Sequence, residues 1–103
     1  RVSKKNKLND CLFGTGGKIK NEHDIPYRKS GCAALDMAYV ASGRYDGYFQ
    51  ENLNLWDIAA GIILVNEAGG IINDIDLSKK NNIEVLAAST NINEKMLEKL
   101  NKF

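Results

Sequence analysis

Residues 51–70 read ENLNLWDIAAGIILVNEAGG, from Glu51 to Gly70. Asn54 is a suitable N-cap and Gly69-Gly70 a suitable stop, so the stretch predicts a helix over 54–68. Its apolar residues fall on every side: Trp56, Ile58, Ile62, Ile63, Leu64 and Val65. A helix apolar all round is expected to be buried between layers. Ala59, Ala60 and Gly61 are small enough to let another backbone approach closely. Asp57 is the exception in this run. With Asn54 as cap it stands at the third helical position, where a carboxylate meets the positive helix end and can reach back to the cap N–H. The same rigid mount suits a Mg²⁺ ligand, and the free N–H groups beside it suit an anion. Pattern alone leaves both readings open.

Working outward, SGCAALDMAYVASG (30–43) carries Ala34, Leu35, Ala38, Tyr39 and Ala41 at helical spacing. Ser30 is its expected N-cap and Gly43 its stop. Tyr48-Phe49 reads as a short strand. Downstream, residues 70–75 and 83–88 read as strands separated by a polar turn over 77–82. Asn91 with Glu94 forms a capping-box pattern ahead of Met96, Leu97 and Leu100. Upstream, a strand is predicted around Cys11 to Gly14, then a turn at Gly14-Thr15-Gly16-Gly17 and a loop from Lys18 to Arg28. This order predicts an α/β fold, a mixed β-sheet covered by α-helices.

The composition, 44% apolar and 26% charged over 103 residues, is that of one globular domain. A net charge of +1 gives no overall field for nucleic acid or an anionic membrane, and neither is expected as a partner. Arg1, Lys4, Lys5 and Lys7 form a basic cluster small enough to be a solvated surface. Cys11 and Cys32 have neither metal-type spacing nor a disulfide framework, and both are expected to be buried, reduced thiols of a cytoplasmic protein. No apolar run approaches the ~20 residues that span a bilayer, and no secretory signal is present. The chain opens on Arg1 without an initiator methionine, which reads as a trimmed or partial sequence.

Other chemistry-bearing patterns are weak. Gly14 to Gly17 lacks both the dinucleotide fingerprint and the Gly-Lys-Ser/Thr ending of a P-loop, and reads as a turn. Glu22-His23-Asp24 holds the lone histidine in a polar, solvated loop. Asn73-Asp74-Ile75-Asp76 lacks the glycine and distal glutamate of an EF-hand. Asp57 and Glu67 are separated by about 15 Å of helix rise and cannot share an ion.

The run SGCAALDMAYVASGRYDGYF, followed by LWDIAAGIILVNEAGGIINDID, resembles the C-terminal half of the inositol monophosphatase family, close to its bacterial extragenic-suppressor-type members. Arg1-Val2-Ser3 and Leu12-Phe13-Gly14-Thr15-Gly16 look like the segments that precede these helices. The resemblance implies Mg²⁺-dependent hydrolysis of inositol monophosphate or a similar small sugar or polyol phosphate. Asp57 matches a family Mg²⁺ ligand that lies beside the substrate. Gly31, Cys32 and Ala33 match pocket residues at a helix head, and Gln50 falls where inositol-specific members often carry a glutamate that grips ring hydroxyls.

Three departures accompany it. The family's other metal ligands, a glutamate and an Asp-Pro-Ile/Leu-Asp-Gly-Thr segment, belong to an N-terminal half expected to be absent. At position 50 an amide replaces a carboxylate, with Glu51 on the opposite strand face. The connection from Gly16 to Arg28 is shorter than usual by about one helix. The expectation is therefore a domain over 1–103 that is the C-terminal fragment of a Mg²⁺-dependent phosphomonoesterase, holding one metal-ligand Asp and part of the substrate pocket. With so few ligands, weak Mg²⁺ affinity and no turnover by the chain alone are expected. A non-catalytic relic or interaction module is the alternative. Apolar surface left uncovered is expected to bring self-association or a partner domain.

Overall fold

The structure, a computed structural model, describes residues 1–16 and 26–99. A 3₁₀ turn at Leu8–Asp10 leads into β1 (Phe13–Thr15), β2 (Tyr27–Arg28), α1 (Ala33–Ala41), β3 (Gly47–Leu53), α2 (Leu55–Glu67), β4 (Ile71–Ile72), β5 (Ile83–Ala88) and α3 (Asn93–Lys99). The described strands form one five-stranded sheet in the order β2-β1-β3-β5-β4. β1 is parallel to both β2 and β3, with Phe13 opposite Gly47 and Thr15 opposite Phe49. β5 is antiparallel to β3 and to β4.

The sheet is mixed and has helices on both faces. Alternation along β5 sends Ile83, Val85 and Ala87 to one side and Leu86 and Ala88 to the other. The first set packs with Tyr48 against Met37 and Val40 of α1 and Ile58 and Val65 of α2. The second packs with Cys11 and Phe13 against Ile92 and Met96 at α3. A strand buried on both faces carries apolar residues nearly without interruption, which is why IEVLAA lacks a polar alternation. At the α1–α2 crossing, Gly61 is the contact point: a Cβ there would lie 2.6 Å from the Met37 sulfur. Gly43 and Gly69, at φ +81° and +88°, end α1 and α2 as their positions in the sequence suggested.

Asp46 ties three strands together. Its Oδ2 accepts the Leu12 N–H at 2.7 Å, its own N–H donates to the Leu12 carbonyl at 2.8 Å, and its carbonyl accepts the Ser89 N–H at 3.1 Å. These bonds hold the entrance of β1 beside the entrance of β3 and the exit of β5. Lys5 Nζ lies 3.5 Å from the same carboxylate.

Several expectations are corrected. The α/β architecture runs from β1 to α3 through nearly the whole described chain as a single unit, so no separable C-terminal domain divides off within it. α2 is not buried all round. Ile58, Gly61 and Val65 face inward, whereas Trp56, Ile63 and Leu64 are 73%, 63% and 47% exposed. Uniform apolarity hid which stripe meets the sheet. Ser30 does not cap α1. Its hydroxyl accepts the Cys32 N–H at 3.1 Å in a turn ahead of the helix, and Cys32 takes the cap position. β2 falls within the predicted loop, because a two-residue edge strand beside Pro26 carries no periodicity. The strand predicted over 70–75 is paired only at Ile71–Ile72. Beyond it the Asn73 side chain stands in for a strand, donating to the Glu84 carbonyl at 2.9 Å and accepting the Leu86 N–H at 2.8 Å. Asn91 spends its amide on the Lys4 carbonyl at 3.1 Å, and α3 begins two residues later. Gly17, the loop over 18–25 with Glu22-His23-Asp24, and Leu100 lie outside the described residues.

Candidate functional site

The C-terminal ends of the parallel strands β1 and β3 open toward the N-terminal ends of α1 and α2. In sheets of this kind that crevice is where ligands settle, because loops and helix ends converge there. A cavity of about 470 Å³ occupies it, walled by Gly16 after β1, Gly31 to Ala34 at the head of α1, Gln50 and Leu53 on β3, and Trp56 and Asp57 on α2. Gly31, Cys32, Ala33, Gln50 and Asp57, scattered over 27 positions of sequence, thus meet on one wall system.

Asn54 caps α2 and Asp57 completes a capping box. The Asn54 N–H donates to Asp57 Oδ2 at 3.2 Å, and the Asp57 N–H donates to the Asn54 carbonyl at 3.0 Å. Asp57 is half-buried, so its carboxylate is anchored on one side and open to the cavity on the other. The cap and ligand readings are therefore compatible in one geometry. In α1 the first intrahelical bond is Asp36 N–H to Cys32 O at 3.0 Å, so the N–H groups of Ala33, Ala34 and Leu35 have no carbonyl partner within the helix. Two positive helix ends and one carboxylate share the cavity.

Gln50 is oriented by Tyr48, two residues back on the same face of β3. The Tyr48 hydroxyl donates to Gln50 Oε1. Burial, reinforced by the charge of Asp36, pushes the Tyr48 phenol well above its ordinary range, so it stays a proton donor. A bulge between Gln50 and Leu53, with Asn52 at φ +58°, turns Leu53 inward and delivers Asn54 to its cap position.

The thiols differ from expectation in one case. Cys11 is buried and donates to the Lys7 carbonyl at 3.1 Å, and burial followed by the charge of Asp46 pushes it up to about 11. Cys32 is exposed on the cavity wall rather than buried, because α1 starts with its N-terminus facing the crevice. Sequence reasoning also missed Gly16, Leu53, Trp56 and the supporting Tyr48. Adjacency of the sole tryptophan to Asp57 was the one available signal, and an all-round apolar helix masked it.

A divalent cation fits this wall only in part. Asp57 supplies a hard oxygen on a rigid helix head, but among the described residues no group of three His, Cys, Asp or Glu side chains converges. Nor is any helix among the described residues long and apolar enough to cross a membrane.

The sequence matches the inositol monophosphatase family over residues 2–102. An inositol-1-monophosphatase of Caulobacter vibrioides is 34% identical over 97% of this chain and 46% of its own length. The Nus factor SuhB of Escherichia coli is 57% identical over 56% of this chain and 21% of its own. Among solved structures, the extragenic suppressor protein suhB of Bartonella henselae superposes with a TM-score of 0.85 at 39% identity, over 98% of this chain and 46% of that one. An inositol monophosphatase from Anabaena does so at 0.82 and 30% identity, over 99% and 47%. The chain thus spans about half the length of the Caulobacter relative it matches. These matches correct the expectation of a resemblance confined to a C-terminal half, since the family match takes in nearly every residue of this chain. By that match and by the superposed fold, the chain belongs to the inositol monophosphatase family.

Proposed function

We propose that the cavity binds the phosphate of a small polyol or sugar phosphate monoester, inositol monophosphate among them, with Mg²⁺ at Asp57, in the service of phosphomonoester hydrolysis. The observation that carries this reading is the convergence of two helix N-termini and one anchored carboxylate in a single crevice. The unpaired N–H groups at the head of α1 suit phosphate oxygens, and the α1 end adds a positive potential. With one oxygen fixed by its capping bond, Asp57 would hold Mg²⁺ through the other. Gln50 and Leu53 shape the end of the cavity left for the alcohol portion, and Trp56 covers the rim. Mg²⁺ bound there would supply a Lewis acid for the phosphate and a lowered pKa for a bound water. The ion takes about six oxygens, so phosphate and water oxygens would complete the set beside Asp57.

Trp56, Ala59, Ala60, Ile63 and Leu64 form an exposed stripe of α2, and Trp56 also lines the cavity. A contiguous apolar face of this kind supports self-association or a covering partner domain.

Calorimetric titration of inositol 1-phosphate, with and without Mg²⁺, tests the reading, with phosphate release followed in parallel. Mg²⁺ should strengthen binding to the native chain and have no effect on an Asp57→Asn variant. Equal Mg²⁺ dependence in both proteins would remove Asp57 as the ligand.

A further inference from the structure

The chemistry of Gln50 can be taken beyond its place on the wall. Tyr48 is fully buried and remains protonated, so its O–H must have an acceptor. The acceptor it has is Gln50 Oε1. A carboxamide NH₂ cannot accept, which settles the orientation of this amide by chemistry. The carboxamide also lies against Gly16, where an added Cβ would fall 2.7 Å from the Gln50 amide carbon and 3.0 Å from its nitrogen. Held between the Tyr48 phenol and the backbone of Gly16 just after β1, Gln50 lines the cavity with its oxygen engaged, so hydrogen bonding to a ligand falls to its amide nitrogen, a donor.

We propose that Gln50, fixed by Tyr48 and Gly16, makes this end of the cavity a hydrogen-bond donor site that selects phosphate monoesters bearing a carboxylate. The inference rests on the phosphate reading above. A hydroxyl can donate or accept and is served by an amide or a carboxylate alike. A carboxylate only accepts: it pairs with the Gln50 N–H and would be repelled by a carboxylate in that position. The positive end of α1 on the same cavity favours the added negative charge. The substrate class is a phosphorylated hydroxy acid of small size.

Two probes separate the possibilities: 3-phosphoglycerate and glycerol 1-phosphate, which differ by a carboxylate in place of a hydroxymethyl group. Each is titrated calorimetrically into the chain with Mg²⁺ present. The native protein should favour 3-phosphoglycerate by about tenfold, the effect of a hydrogen bond to a charged group. Gln50→Glu should reverse the preference. Tyr48→Phe, which releases Oε1 and lets the amide turn, should reduce the ratio between the two esters, and it serves as the deciding variant if Gln50→Glu does not fold. An unchanged ratio in the folded variants would overturn this inference alone. Failure of both esters to bind the native chain would overturn the phosphate reading and the inference with it.

Discussion

Asp36 offers the sharpest test of how the core of this protein is built. It sits in the first turns of α1 with 0% exposure, and neither carboxylate oxygen has a hydrogen-bond partner among the described residues. Its surroundings are the rings of Tyr45 and Tyr48, both of which it pushes toward the protonated form, and the backbone of Gly14. Burial raises the Asp36 carboxyl above the usual aspartate range, because the charged form loses its hydration, and the Ser30 side chain beside it offsets only part of that rise. The native state therefore holds a proton at pH values where the unfolded chain has released it. Stability from this group is complete below the unfolded value of about 3.9 and is lost as pH rises through the folded value. Within that window the slope is at most about 1.4 kcal/mol per pH unit. Asp36→Asn removes the titration and keeps the shape. A buried amide still lacks partners, at a cost of about 1–3 kcal/mol, but that cost does not vary with pH. Urea unfolding followed by far-ultraviolet circular dichroism, at intervals from pH 4 to pH 8, should show the native chain losing stability relative to the variant as pH rises. Parallel curves for the two proteins would refute the reasoning, since they would mean that Asp36 binds no extra proton on folding.

Three further outcomes follow from particular contacts. Gly61→Val should destabilise by about 1–3 kcal/mol through overpacking against the Met37 sulfur, and Met37→Ala should restore part of the loss in a double variant, read by urea midpoints. A thiol reagent should label Cys32 rapidly in the folded chain and Cys11 only on unfolding, with inositol 1-phosphate slowing the Cys32 reaction; equal rates would contradict the site geometry. Ile63→Lys with Leu64→Gln should lower any concentration-dependent association seen by analytical ultracentrifugation without loss of helical signal, because both side chains lie on the exposed face of α2.

Much of this architecture is legible in the residues themselves. The caps and stops of α2, Asn54 and Gly69, are local devices, and local hydrogen bonding places them whatever lies farther away. The span of β5 is legible for a related reason: five small or apolar residues around a single Glu84, between turns, suit a strand with both faces covered. Helix starts that depend on tertiary anchoring were less readable. Ser30 and Asn91 are good caps by type, yet one is spent on a turn and the other on a distant carbonyl. Edge pairing at β2 rests on contacts across the chain and leaves no local pattern.

The site divides the same way. Sequence by itself determined that Asp57 heads a helix, and the motif around it carried the family resemblance and the grouping of Gly31, Cys32, Ala33 and Gln50. Only the tertiary structure decided that α1 and α2 point their N-termini into one crevice, that Trp56 faces solvent, and that Tyr48 takes the oxygen of Gln50. The physical reason is one of range. Capping and periodicity act over three or four residues along the chain, whereas the direction of an amide and the exposed stripe of an all-apolar helix depend on which elements pack beside them.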